Sequence, residues 1–163
     1  MMNKNSPYRT LSPDRRVAIV THAIKSSKEV RELFIQRLAS RPGGFRIVTL
    51  RTWPPDKIAK EVVRTNAQTA ADELDLLHRL YVEMEPQIQA TFLDAAGVKN
   101  NAGQMPDDLE PPFADEAAVT LGVAAVRAQH GDDGERYLQT LARYNSHAWP
   151  GIVELAAQTE PTA

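Results

Sequence analysis

Residues 74–86 read LDLLHRLYVEMEP, and the reading of that stretch decides the fold. Its apolar positions Leu74, Leu77, Tyr81 and Met84 are three or four residues apart, the spacing that holds one face of an α-helix against a core. The same rhythm runs back through Ala70, Ala67, Val63 and Ala59 and forward to Ile88. It predicts one long amphipathic helix, with Thr65-Asn66 as a candidate break and a kink near Pro86. The proline ring removes the hydrogen bond to the carbonyl of Val82. Gly97 is placed to end the helix in a left-handed cap.

Helical signals continue on both sides. Ser12, Pro13 and Asp14 supply a cap, a preset first residue and a charge that suits the helix dipole; Val17, Val20 and Ile24 follow at helical spacing. Ser26 and Glu29 fit a capping box ahead of Val30, Leu33, Phe34 and Leu38. Pro42-Gly43-Gly44 stops that helix. FRIVTLRTW, residues 45–53, has the look of a strand, but no second run exists to pair with it, so a short helix or extended connector is expected. Residues 98–113 form a polar loop with three prolines. Residues 114–130 are helical and rich in small side chains, among them Ala117, Ala118, Gly122 and Ala125, which admit a close neighbour. His130-Gly131 ends that helix and Asp132 to Glu135 restarts it; a last short helix carries Ile152 and Leu155. The expectation is an all-α, single-domain irregular helical bundle of five to seven helices over residues 11–158. Residues 1–10 and 159–163 are expected to be flexible.

With 163 residues the chain has the length of one domain and can bury a core without a covalent staple. It has no cysteine, which excludes disulfides, thiolate nucleophiles, iron–sulfur ligation and cysteine zinc sites, and which suits a reducing compartment. No apolar run approaches the length of a membrane span, and residues 1–16 lack the apolar core of a secretory signal. A cytoplasmic protein without membrane contact is therefore expected.

The net charge of −2 conceals a division. Residues 1–64 hold 14 Lys and Arg against five acids, and the remainder holds five against 16. A basic half of this kind suits an anion such as nucleic acid or a phosphorylated ligand, but the plainer account is that the two halves pack together or that identical chains associate basic-to-acidic. Arg15, Arg16, Arg31 and Arg46 are its candidate binding residues. Gly43-Gly44 between Arg41 and Arg46 resembles a small anion nest, but a helix-stopping loop is the plainer account.

Asp75 and His78 lie three residues apart and share a helix face. The spacing is that of one carboxylate–histidine arm of a di-metal bundle, but no other histidine has an acid at the matching offset. Both also fall one residue outside the Leu74, Leu77, Tyr81, Met84 stripe, on the helix flank. The acids Asp107, Asp108 and Glu110 lack the alternation of a calcium loop. Arg136-Tyr137 and Arg143-Tyr144 recur at seven residues, a pattern that stacks bases but more often covers a core. No phosphate-binding, dinucleotide, nucleophile-elbow or zinc-helix motif is present. The reading is a protein-interaction or ligand-binding module with no cofactor, its partner another protein or a second copy of itself, with enzymatic activity left open. A nucleic-acid or anion binder using the basic half is one alternative; a metalloprotein built on Asp75 and His78 is another.

Overall fold

A computed structural model describes residues 6–158 of the chain. The expectations for residues 1–5 and 159–163 fall outside the described residues. Every regular element is helical, and six helices have ten or more residues. They are α1 (Pro13–Ser26), α2 (Lys28–Ser40), α4 (Pro55–Thr65), α5 (Ala70–Arg79), α6 (Pro86–Ala95) and α7 (Glu116–Tyr144). Two short helices, α3 (Ile47–Arg51) and α8 (Ile152–Ala157), complete the set. The strand-like residues 45–53 thus contain a helix. The described residues form no strand, only an isolated bridge between Asn101 and Gln104. The contacts gather into two compact units, divided between Arg79 and Leu80. No linker composition marks that division in the sequence.

In the first unit α1 packs on α4, and α2 packs on α1, α3 and α4. Ile19, Val20, Ala23 and Ile24 of α1 meet a core that also holds Phe34, Leu38, Leu50, Ile58 and Val62, all buried. Each large aliphatic side chain so buried contributes roughly 2 kcal/mol. Ser12 caps α1 as expected, accepting from the Arg15 amide at 3.3 Å. The cap of α2 is Ser27, which accepts from the Val30 amide at 3.2 Å, one residue later than the sequence suggests. Ser26 is instead drawn into α1, its hydroxyl donating back to the His22 carbonyl at 2.7 Å. Of the segment expected to be flexible, Pro7–Thr10 fold into a 3-10 turn with Tyr8 buried. The adjacent Arg9 holds its Nε 2.9 Å from the Glu73 carboxylate, which is only 3% exposed.

The long periodic stretch breaks in two places. Asn66 takes a left-handed conformation (φ 50°) and closes α4. Further on, Leu80–Met84 form a π-helical turn, Glu85 leaves helical geometry (φ −129°, ψ 58°), and Pro86 opens α6. The proline sits where its missing N–H costs nothing. The buried face also differs from the expected stripe. Leu76, Leu77, Leu80 and Tyr81 are buried while Leu74 is exposed. Glu73 lies on that same inward face and is compensated by Arg9.

In the second unit α7 packs on α6 and α8. The helix bends at Gly131 (φ 53°, ψ −129°), a conformation open to glycine alone. Gly122 lets α6 approach, since a Cβ there would lie 2.8 Å from the Phe92 ring. Tyr81, Phe92, Tyr137 and Trp149 form a chain of edge-to-face rings, with centroids 4.9–5.9 Å apart. Tyr137 is therefore core, and the Arg-Tyr repeat is not a stacking platform. The loop at 98–113 is tied down by Gln89 Nε2 donating to the Gly103 carbonyl at 2.5 Å and by the Phe113 amide donating to Ala148 at 3.1 Å. Arg127 fastens α8, donating to the carbonyls of Leu155 (2.9 Å) and Gln158 (2.5 Å) and pairing with Glu135. No helix among the described residues is long and apolar enough to cross a membrane.

Candidate functional site

Polar and charged groups converge on a concave surface of the first unit where the end of α2 meets the end of α4. At the end of α2 Arg41 turns extended (φ −74°, ψ 148°). Pro42 cannot continue the helix, and Gly43 takes φ +71°. Gly44 then folds back so closely that a Cβ would lie 2.3 Å from the Leu38 carbonyl oxygen; its amide donates to the Arg41 carbonyl at 2.8 Å. The turn is too tight at Gly44 for a side chain, whereas a Cβ at Gly43 would meet nothing within 4 Å. Opposite it Arg41 Nη1 donates to the Thr65 carbonyl at 2.5 Å, a cation at the negative end of α4. Arg64 holds Glu61, with Nε 3.0 Å from Oε2. The hydrogen bond from Arg64 keeps the Glu61 carboxyl below its ordinary range, with Arg41 adding to the effect.

Two hollows flank the Arg41-Pro42 corner. One, of about 360 Å³, is lined by Arg41, Gly43, Gly44, Phe45, Glu61 and Arg64. The other, of about 480 Å³, has Leu33, Pro42 and Ala67 for its apolar part and Gln36, Arg37 and Arg41 among its polar residues. Both fall in the size range of ligand sites. Phe45 at the first hollow is 44% exposed and meets the Trp53 ring edge-on, centroids 4.7 Å apart. Lys57 Nζ lies 4.3 Å over the same indole.

The residues picked from sequence are placed differently. Arg31 is an internal tie, donating through Nη2 to the carbonyls of Trp53 (2.8 Å) and Arg51 (3.3 Å). Arg15 and Arg16 are half-buried on α1, and Arg46 is exposed at the start of α3. These four do not line the hollows. Arg41 and Arg64 do, and Arg64 comes from a different helix than the loop it faces. The glycine pair was the one local signal for this place. Asp75 and His78 are exposed, and the Asp75 carboxylate lies 2.9 Å from Arg79 Nε. Among the described residues no three His, Asp or Glu side chains gather as metal ligands.

No family model, curated protein or solved structure matches the chain.

Proposed function

We propose that this chain is a protein-interaction module whose basic unit receives an acidic, amphipathic segment of a partner. The observation that carries the reading is the 480 Å³ hollow with apolar Leu33, Pro42 and Ala67 and the cations Arg37 and Arg41. It belongs to a unit in which 15 Lys and Arg face eight acids. An apolar stripe fills such a floor and its acidic neighbours meet the rim, the arrangement that gives helix-in-groove recognition both affinity and orientation. Leu33 is 40% exposed and contributes little to the core, which suits a residue kept for contact. The absence of cysteine and the charged surface fit a cytoplasmic role.

The test uses the full chain and a synthetic helical peptide with a Leu stripe and Glu on the opposite face. Micromolar binding is expected, weakened at least about tenfold (roughly 1.4 kcal/mol) by Leu33→Glu. Equal affinity for the wild type and Leu33→Glu overturns the reading. Sedimentation of the free protein at several concentrations separates a foreign partner from a second copy.

A further inference from the structure

The smaller hollow is chemically distinct from the apolar groove beside it. Its lining includes Gly43 and Gly44, two guanidinium groups, Arg41 and Arg64, and one carboxylate, Glu61. Among the described residues, Arg41 spends Nη1 on Thr65 and Arg64 spends Nε and Nη2 on Glu61. Arg41 Nη2 and Arg64 Nη1 carry no hydrogen bond there. Two guanidinium groups face one carboxylate and the negative end of α4 and keep donors to spare, and the fork of an arginine matches the oxygens of a phosphate or carboxylate. At the mouth the exposed Phe45 ring is held in place by Trp53, and a ring so fixed stacks a flat ligand at small entropic cost.

We propose that this hollow is a binding site for a small aromatic oxyanion, a single ring bearing a phosphate or carboxylate. The oxyanion sits between Arg41 and Arg64 and the ring lies against Phe45. A volume of about 360 Å³ is at the small end of ligand pockets and suits one ring and its charged group rather than a polymer. Glu61 competes with the ligand for Arg64, so it tunes affinity downward. The site adjoins the peptide groove, and Arg41 and Pro42 border both.

The experiment is a titration of the full-length protein with phenyl phosphate, benzoate and inorganic phosphate, followed by backbone amide shifts. Saturable shifts at Gly43, Gly44, Phe45 and Thr65 are expected. Phenyl phosphate or benzoate should bind several-fold more tightly than inorganic phosphate, and whichever of the two wins identifies the charged group. Arg64→Gln, at an exposed position, should weaken binding about tenfold. Phe45→Ala should erase the preference for the aromatic ligands, and Glu61→Gln should tighten binding. No saturable shift at these amides up to about 10 mM ligand, well above the ~1 mM a few contacts supply, overturns the proposal. So does weaker binding in Glu61→Gln, which would make the carboxylate part of the site's framework rather than a competitor. Leu33→Glu should leave these shifts unchanged, so the peptide groove and the oxyanion site fail separately.

Discussion

Tyr8 places a phenol inside the basic unit. Its hydroxyl is buried and has no hydrogen-bond partner among the described residues. Burial pushes its pKa from 10.0 up to about 12, the nearby Arg16 partly opposing the shift. The unfolded phenol therefore loses its proton near pH 10 while the folded one keeps it, and the folded state binds more protons across that interval. Stability must fall as pH rises from 10 to about 12. Chemical denaturation across this range should show Tyr8→Phe losing roughly 2 kcal/mol less than the wild type. At pH 7 the same substitution removes an unpaired buried hydroxyl and should cost nothing measurable. The neighbouring pair behaves oppositely. Arg9 Nε and Glu73 Oε1 touch at 2.9 Å without an aligned N–H, so the contact is ionic. Arg9→Met strands a buried carboxylate and should cost about 3 kcal/mol in a melt. Adding Glu73→Leu should recover most of that loss.

At the scale of elements, glycine decides how α7 is built. Gly122→Ala forces a methyl against the Phe92 ring, and Gly131→Ala demands a φ that an L-residue resists. Each should lower stability by about 1–3 kcal/mol, measured by urea denaturation. Pro86→Ala is a contrast: at the first position of α6 the proline replaces no hydrogen bond, so less than about 1 kcal/mol should change. These elements were legible in sequence because they depend on local chemistry: the Ser12 cap, the Gly97 stop and the break at Pro86, while Gly131, expected as a stop, bends α7. The buried face of α5 was not. Alternating steps of three and four fit the Leu74 stripe and the Leu76, Leu77, Leu80, Tyr81 stripe alike. The face that turns inward carries Glu73, whose partner Arg9 lies more than sixty residues away in sequence, beyond the reach of local spacing. The hollow beside Gly43-Gly44 was half legible for the same reason. The glycines are local, whereas Arg64 reaches them only through the packing of α2 and α4.

At the scale of the molecule, charge is the dominant asymmetry. Residues 1–79 carry 15 Lys and Arg against eight acids, and residues 80–163 carry four against 13. If the basic unit serves an acidic protein partner, binding weakens as the Debye length shrinks from ~10 Å at 0.1 M salt to ~3 Å at 1 M, and an apolar remainder persists. A nucleic-acid role predicts instead a steep log-linear loss with salt for any generic duplex. An anisotropy titration at low and high salt should show the first pattern for the Leu/Glu peptide and no micromolar binding of duplex DNA.

The two tryptophans fall one to each unit. Trp149 is sealed among Phe92 and Phe113, while Trp53 is half-exposed beside Phe45 and beneath Lys57. Each unit thus carries its own optical reporter. Trp149 should emit at shorter wavelength, as an indole shielded from water does, and Trp53 further to the red. The Trp53→Phe and Trp149→Phe variants assign the two bands, and following both through one denaturation reveals whether the halves of the chain let go together or in turn.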